Sequence, residues 1–534
     1  MEAEPIRTEP TPELSERARS ALAVGLLVLL VLLLYLPSLG GGFLNLDDPW
    51  LIDRNPIFRA HELHGLLASW TDFSSATRLA LGAEYLPVRD TSVWLDGALD
   101  GLSPPVMRLG NLSLYLGALA LLRGALRRAL GASLAVELAV FAFALHPVHV
   151  ESVAWLAGRK DVLALFFVAW ALYVHAGESR FRPLFVPLLL LCAHFSKAQS
   201  VIALGLLLAQ DLLARRRVDA RVYLPAALCA AFAAFVHASV GHSVHMIAEL
   251  AGGTRLHAAF TFGEIIGRYL LNLVWPAQLS VVYDAPPAMH LSLLGAIGYV
   301  VLSAWGALGV WCIRHGRTPL VGAAWLWFFV PLLPVSQVLF PLQNRMADRY
   351  LLFSVLALGL LGVAFARWQR RPGLAAALFG IFLAHFGWRT FERSDLFGNS
   401  VSLFADATAK TTRSSLAPYQ WGSALEADGD FVGAAQAYEE TLRRTTHPTE
   451  PGRRATNNLA RVYVHMNRLG DANAVLVRGR ALWPGDPKIL YNLALVTARQ
   501  GDELGAATLA ADLHARFPNF RPDQSSAADF YAAQ

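Results

Sequence analysis

The chain has 534 residues, of which 55% are hydrophobic and 16% are charged. A typical soluble protein carries about 25% charged residues, so this composition argues against a purely cytosolic enzyme. The formal net charge of +5 does not indicate a nucleic-acid partner, because the basic excess lies in the connections between apolar segments. Cys192, Cys229 and Cys312 fall in apolar runs and predict no disulfide framework.

The composition changes near residue 391. The first 390 residues contain 30 Lys and Arg and 24 Asp and Glu, whereas the remainder contains 15 and 16. The charged fraction rises from about 14% to about 22%, which predicts a membrane body followed by a soluble domain. We expect a cytoplasmic segment at 1–19, a polytopic membrane domain at 20–390 and an extracytoplasmic domain at 391–534.

The first apolar element follows Arg19 and continues without a charged residue until Asp47. A helix of this length crosses a bilayer core of roughly 30 Å, and we interpret it as a spanning helix rather than a removed leader. Further apolar runs lie at 109–122, 132–145, 161–175, 183–195, 198–213, 222–239, 261–275, 292–312, 319–334, 350–366 and 373–387.

Arginine clusters occupy the short connections, and the positive-inside rule assigns them to the cytoplasmic face. They are Arg123, Arg127 and Arg128; Arg180 and Arg182; Arg215, Arg216, Arg217 and Arg221; Arg314 and Arg317; and Arg367, Arg370 and Arg371. All of them face the cytoplasm if 261–275 lies in or on the outer leaflet, which predicts an all-α bundle of about eleven spanning helices. Alternatively 261–275 spans, and the last two clusters lie outside.

The first outer loop, at 38–105, carries the adjacent carboxylates Asp47 and Asp48 at the mouth of a spanning helix. A carboxylate near a low-dielectric boundary has a raised pKa and accepts a proton more readily. The pair is therefore a candidate general base. Alternatively, Asp48 and Pro49 only begin a turn or cap the next helix.

A second outer segment, from His146 to Leu163, reads HPVHVESVAWLAGRKDVL. His146, His149 and Glu151 could form a metal site, but Pro147 disrupts a helical presentation of these ligands and no fourth ligand is apparent. Further along, two adjacent cations favour a phosphate or diphosphate ligand, because a guanidinium or ammonium group at an apolar boundary needs an anionic partner. These cations are Arg159 and Lys160, with an ion pair to Asp161 as the alternative.

Two more cations lie at predicted helix ends. Residues 183–214 must cross the bilayer twice, yet a helix of this length reaches only about 48 Å against about 60 Å for two spans. Lys197 is therefore expected below the outer surface, where it needs a wet cavity or an anion, unless its side chain extends to the interface. Arg349 is a further phosphate candidate, with Asp348 as the alternative local partner.

The last 144 residues contain an internal period of 34 residues, which matches the helix-turn-helix unit of the tetratricopeptide repeat. The period separates Ala460 from Ala494, Ala472 from Ala506, and Pro484 from Pro518. A diverged earlier copy reads WGSALEADGDFVGAAQAYEETL. About three copies predict a helical solenoid with a concave face that could hold an extended peptide.

Together these motifs resemble bacterial relatives of the transmembrane and tetratricopeptide-repeat-containing O-mannosyltransferases. The resemblance covers nearly the whole chain and rests on Asp47-Asp48, Tyr85-Leu86-Pro87, the segment from His146 to Leu163, FSKAQ, WPAQLSVVY, ADRYLL and the repeats. The family often has Tyr-Arg-Pro where Leu86 stands here, Ser-Lys-Glu where Ala198 follows Lys197, and a further Tyr after the acidic-Arg-Tyr-Leu string, where this chain has Leu352.

The resemblance implies a GT-C glycosyltransferase fold in the inner (cytoplasmic) membrane, with the repeats periplasmic or otherwise extracytoplasmic. It implies transfer of mannose or another hexose from a polyprenyl-phosphate carrier to a Ser or Thr hydroxyl of an acceptor protein that the repeats recruit. The site residues that the resemblance implies are Asp47 or Asp48 as the catalytic acidic residue and Arg159, Lys160, Lys197 and Arg349 for the donor phosphate. Beside these we keep His146, His149, Glu151 and Arg89 as further site candidates.

We expect no cofactor, because a monophosphate leaving group held by cations does not require a metal, although Asp47 and Asp48 could bind a divalent ion. The alternative function is a non-enzymatic membrane scaffold or assembly factor that presents the repeats to partner proteins. Anchoring needs one helix, so about eleven crossings with buried cations favour the enzyme. A flippase or a ligase of lipid-linked intermediates would use a similar anionic-lipid pocket.

Overall fold

The computed structural model describes residues 15–244, 248–369 and 372–521. The secondary structure of this described part is helical, without a strand. Residues 1–14 of the predicted cytoplasmic segment lie outside the described residues, as do Arg370 and Arg371 of the last arginine cluster.

Every apolar run predicted from the sequence overlaps a helix. The helices of the first part are α1 (Glu16–Leu39), α2 (Pro56–Arg59), α3 (Leu63–Thr71), α4 (Ser75–Ala80), α5 (Pro87–Asp100), α6 (Pro104–Leu130), α7 (Leu134–Ala144), α8 (His149–Ala154), α9 (Arg159–Ala176), α10 (Arg182–His194), α11 (Ala203–Ala214), α12 (Ala220–Ser243), α13 (Arg255–Val274), α14 (Leu293–Arg314), α15 (Leu320–Phe329), α16 (Leu356–Trp368) and α17 (Pro372–Leu396). Short π or 3-10 turns lie at Pro49–Asp53, Leu156–Gly158, Ala198–Ile202, Ala251–Gly253, Val330–Leu332 and Asp348–Leu351.

Within the described residues, four helices are long and apolar enough to cross a membrane: α1, α6, α12 and α14. Shorter apolar helices accompany them, namely α7, α10, α11, α15 and α16. Helix α13, which covers most of the run at 261–275, is not among the four. The chain is thus a helical membrane protein by length and composition, and the count of about eleven crossings stays a prediction.

The arginine-bearing connections contact one another at one end of the bundle. The arginines donate to carbonyl groups in the last turns of helices α6 and α9, which have no partner within their own helix. The pairs are Arg128 with Tyr173 at 2.8 Å, Arg216 with Ala176 at 2.8 Å, and Arg367 with Leu130 at 3.1 Å. This grouping agrees with a common face for the predicted cytoplasmic connections.

Helices α6 and α9 pack together through a row of glycines. Three glycines of α6, spaced seven residues apart, face three large side chains of α9 with the same spacing, so a Cβ at each glycine would lie within 3 Å of its partner. The facing pairs are Gly110 with Arg159, Gly117 with Phe166, and Gly124 with Tyr173. Small residues at such positions let two helices approach closely in an apolar environment, and this fixes the start of α9 against α6.

The C-terminal part consists of α18 (Ser400–Lys410), α19 (Leu416–Ala427), α20 (Phe431–Arg444), α21 (Glu450–His465), α22 (Leu469–Leu482), α23 (Pro487–Arg499) and α24 (Glu503–Arg516). From α18 onward each helix packs on the next, and residues between Leu425 and Val496 form a second hydrophobic core. Gly422 permits the tight contact of α19 and α20, since a Cβ there would lie 2.7 Å from the Tyr438 ring. The tetratricopeptide-repeat assignment stays a prediction.

Asp284 joins the C-terminal helices to the membrane body. This residue lies in the connection between α13 and α14, and its carboxylate accepts backbone N–H groups of Thr412 (2.7 Å), Arg413 (3.0 Å) and Ser414 (2.7 Å). A second contact is made by Asn45, whose backbone N–H donates to Ser400 Oγ at 2.9 Å. The C-terminal helices therefore dock on the end of the bundle that carries the first predicted outer loop.

We expect Asp284→Asn to weaken this docking by about 1–3 kcal/mol, because a half-buried ionised group that accepts three backbone N–H groups is lost. Burial acts to raise the pKa of Asp284, but the three N–H groups outweigh it and hold the pKa below its ordinary value of 3.8. The carboxylate therefore stabilises docking fully at pH values above its ordinary pKa of 3.8. This stabilisation is lost as the pH falls through the lowered pKa. Hydrogen exchange at residues 411–415 measures this effect.

The exposed carboxylate Asp428 provides the control for this prediction. At each pH from neutral down to about 3, residues 411–415 of Asp428→Asn should have the same protection from exchange as in the natural protein. Equal protection in Asp284→Asn and the natural protein would contradict the role of Asp284.

Candidate active site

Asp48 has a structural position. It is fully buried; its Oδ2 accepts the Leu44 backbone N–H at 2.9 Å and its Oδ1 accepts that of Ala157 at 3.1 Å. Burial raises the pKa of Asp48 to about 7, although both N–H groups act to lower it. A π turn follows at Pro49–Asp53, but the Asp48 side chain does not cap it. Asp48 instead ties the first predicted outer loop to the segment that precedes α9.

Asp47 is half-buried, and its carboxylate forms no hydrogen bond or ion pair with a described residue. Burial raises the pKa of Asp47; the charges of Lys160 and Arg349 act to lower it, and the charge of Glu84 acts to raise it. A partly desolvated carboxylate with raised pKa and no internal partner is suited to accept a proton from a ligand. The structure thus distinguishes the two adjacent acids, which the sequence pattern treats alike.

Three of the four predicted phosphate-binding cations converge on one region, and each is held by a carboxylate from another part of the chain. The pairs are Lys160 with Glu84, Lys197 with Asp161, and Arg349 with Glu151. Lys160 and Arg349 lie close enough to Lys197 for their charges to act on its ammonium group. The same two cations also lie close enough to Asp47 for their charges to act on its carboxylate. A cluster of cations beside a free carboxylate can bind an anion and remove a proton from a neighbouring group.

Glu84 is a member of this cluster that the sequence patterns do not indicate. Its Oε2 lies 2.8 Å from Lys160 Nζ and 3.5 Å from Arg89 Nη1. Burial acts to raise the pKa of Glu84, but Lys160 and Arg89 lower it to about 2. Arg89 itself is buried and pairs mainly with Asp90, at 2.6 Å. Arg89 is therefore a positioning residue that helps to keep Glu84 ionised beside Lys160.

Glu151 holds Arg349 through both carboxylate oxygens. Oε1 contacts the guanidinium and Oε2 accepts the backbone N–H of Arg349 at 3.1 Å, and Glu151 is fully buried. The guanidinium lies 5.5 Å from the ring centroid of Trp155. The predicted local partner, Asp348, pairs instead with Arg393 at 2.5 Å. Glu151 is thus a positioning residue for Arg349.

Arg159 lies apart from this cluster, in the notch between α6 and α9. Its guanidinium donates to Asn111, to Ser92 Oγ at 2.7 Å and to the Met107 carbonyl at 2.8 Å, and it pairs with Asp96 at 2.7 Å. The side chain is 3% exposed. These partners occupy its donor groups, so the structure gives Arg159 a role in packing.

The two histidines of the same segment are buried. His146 Nε2 lies 3.1 Å from the Leu273 carbonyl, and the ring of His149 lies 4.4 Å from that of Phe143. Glu151, the third residue considered as a metal ligand, is paired with Arg349. In the described ranges, no group of three His, Cys, Asp or Glu side chains could hold a metal ion.

Part of the chain is distantly similar to a curated protein. Over 193 residues, 35% of this chain, the sequence is 26% identical to Protein O-mannosyl-transferase Tmtc3 of Drosophila melanogaster, and the match covers 20% of that protein. The chain therefore matches about a fifth of the length of this curated relative. The match supports a distant relation to the family of that protein. No family model and no solved structure matches the chain.

Proposed function

We propose that this chain is a membrane glycosyltransferase that moves mannose or another hexose from a polyprenyl-phosphate carrier to a Ser or Thr hydroxyl of an extracytoplasmic protein. The observation that carries the proposal is the free carboxylate of Asp47 beside three anchored cations, Lys160, Lys197 and Arg349. The distant relation to a protein named as an O-mannosyltransferase supports the same reaction class. A GT-C-like bundle followed by tetratricopeptide repeats is the architecture that we propose with it.

In the proposed reaction, Asp47 takes the proton of the acceptor hydroxyl while the oxygen of that hydroxyl attacks the anomeric carbon of the sugar. The bond between that carbon and the phosphate oxygen breaks, and its electron pair leaves with the polyprenyl phosphate. The phosphate gains one negative charge, which Lys160, Lys197 and Arg349 stabilise. Attack from the face opposite the leaving group inverts the anomeric configuration.

The test is transfer by the purified full chain in lipid nanodiscs. We expect label to move from polyprenyl-phosphate-mannose, or from the glucose analogue, to a Ser/Thr-containing peptide without another protein present. Inertness towards both donors, together with normal folding, would contradict the enzyme and favour a scaffold. A comparison of cells with and without the protein would show a hexose mass on extracytoplasmic peptides only if transfer occurs in the cell.

The pH dependence of transfer tests the role of Asp47. The base must be ionised, so kcat/KM should fall as the pH drops through the pKa of Asp47 in the free protein. Because burial raises that pKa above its ordinary value of 3.8, the acidic limb should have its midpoint above 3.8. A limb centred at or below the ordinary value would contradict the assignment of Asp47 as base.

Glu84→Gln should strengthen binding of the carrier phosphate. Glu84 stays ionised because its pKa is about 2, so it competes with a phosphate for Lys160. Removing this competing charge should lower the Kd for polyprenyl phosphate by about tenfold, which corresponds to about 1.4 kcal/mol. Titration in nanodiscs measures the change. Asp428→Asn, which removes an exposed negative charge, is the control and should leave the Kd unchanged. Weaker binding of polyprenyl phosphate by Glu84→Gln would contradict competition between Glu84 and the phosphate.

A further inference from the structure

A groove of about 800 Å³ separates the membrane body from the C-terminal helices. One wall is α13 and the connection that follows it, and the other wall consists of the last residue of α18 and the three residues after it, 410–413. Leu271, Trp275 and Met289 line it, and each is 59% exposed. Exposed apolar side chains in a concave surface between two parts of a chain favour binding of a ligand with apolar groups.

The connection between α13 and α14 presents unpaired backbone to this groove. Residues 283–288 have no regular secondary structure, and among the described residues no group accepts the backbone N–H of Asp284 or Met289, both of which line the groove. The N–H of Ala288 donates to Thr261 Oγ1 at 2.9 Å. Pro286 and Pro287 keep this stretch from folding back into a helix. The two free N–H groups of Asp284 and Met289 can each donate to a main-chain carbonyl of an extended chain that lies in the groove.

The charge of the groove favours an acidic partner. Glu264 and Arg268 form a pair at 2.9 Å, and the charge of Asp284 faces three N–H groups. Two basic groups then stand without a side-chain partner among the described residues, His290 and Arg413, and both are exposed. A carboxylate on the ligand would therefore gain an ion pair here without breaking an internal one.

The groove lies close to the segment that carries Arg349. Met346 lines the groove and precedes Arg349 by three residues, a span of at most about 10 Å. Tyr283, in the wall, donates its hydroxyl to Asp348, the neighbour of Arg349. A chain that lies in the groove therefore passes close to the segment that carries Arg349.

We propose that this groove binds an extended segment of the acceptor polypeptide, whose main-chain carbonyls accept the N–H groups of Asp284 and Met289 and which carries an acidic residue near His290 and Arg413. The proposal rests on the proposed transfer to a polypeptide. It assigns the choice of acceptor to the junction of the membrane body and the C-terminal helices, and not only to the concave face predicted for the repeats.

Binding of a fluorescent peptide to the full chain in nanodiscs, without donor, tests the groove. The peptide alternates Val and Thr and contains one central Glu. Arg413→Glu should raise the Kd by about tenfold. Met289→Pro, which removes a free N–H and an apolar side chain that line the groove, should raise it by roughly two- to tenfold. The control is Arg478→Glu, the same charge change at an exposed position of α22, and it should have no effect.

A second peptide with Lys in place of Glu completes the design. It should bind the natural protein more weakly than the Glu peptide does, and Arg413→Glu should reverse that order. Absence of peptide binding by the natural protein, or equal binding by the natural protein and both groove variants, would overturn the proposal. So would an equal loss in Arg478→Glu, because that loss would reflect net charge alone.

The transfer assay separates this proposal from the proposed function. Sugar transfer with peptide binding that the groove variants do not change would refute only the groove. Groove-dependent peptide binding without transfer from either donor would refute only the transferase. If both hold, Arg413→Glu should raise the KM for the Glu peptide and leave kcat nearly unchanged.

Discussion

Asp47→Asn is expected to lower kcat for sugar transfer by about 10²–10⁴-fold, the usual contribution of a general base. The amide keeps the size of the side chain but cannot take the proton of the acceptor hydroxyl. Since the Asp47 carboxylate has no partner among the described residues, the protein should fold and melt as the natural protein does. Initial rates at saturating donor and a thermal melt in nanodiscs measure the two quantities.

Asp48→Asn is the matched variant with the opposite expectation. One oxygen that accepts a backbone N–H, from Leu44 or Ala157, becomes an NH₂ group that faces another donor. We expect a loss of about 1–3 kcal/mol in stability, with kcat of the folded fraction changed far less than in Asp47→Asn. The reverse pattern, an inactive but stable Asp48→Asn and an active Asp47→Asn, would exchange the two assignments.

The double variant Glu151→Met and Arg349→Met is expected to fold and to lose about 10²–10³-fold in kcat, the range seen when one donor to a developing anion is removed. Removing both members of the pair avoids a buried uncompensated charge. The backbone N–H of Arg349 loses its acceptor on Glu151, so we expect a stability loss of about 1–3 kcal/mol, which leaves the protein folded. Single-turnover transfer and a thermal melt report the two effects separately.

The corresponding double variant of the other arginine is Asp96→Leu and Arg159→Met. Arg159 also donates to Asn111 and Met107, so its loss leaves buried acceptors unsatisfied and should lower the melting temperature. The folded fraction should keep its kcat, because Arg159 lies outside the cation cluster. A larger drop in kcat for this variant than for the Arg349 variant would indicate that Arg159 binds the donor phosphate.

The sequence patterns indicate the helices well and the side-chain partners poorly. Apolar runs predict helices because a helix satisfies its own backbone in an apolar environment. Ion pairs depend on how helices pack: Arg349 and Glu151 are separated by 198 residues, and Lys197 and Asp161 by 36. No local spacing relates these residues, so the patterns give the cations but not the carboxylates that hold them.

Adjacent residues with the same chemistry also mislead the sequence interpretation. Arg159 and Lys160 begin a helix, where neighbours point about 100° apart, so one faces the α6 notch while the other faces Glu84. Asp47 and Asp48 differ in the same way: the Asp47 carboxylate has no partner among the described residues, whereas each oxygen of the Asp48 carboxylate accepts a backbone N–H. The glycine row of α6 is the sequence signal that could have indicated the packing role of Arg159.

The three anchored cations have a consequence for how a carrier lipid enters. Each of Lys160, Lys197 and Arg349 already balances a carboxylate, so an arriving phosphate adds net negative charge beside Asp47. Additional negative charge raises the proton affinity of a carboxylate. The loaded protein should therefore hold more protons than the empty one, and by linkage the carrier should bind more tightly as the solution becomes more acidic.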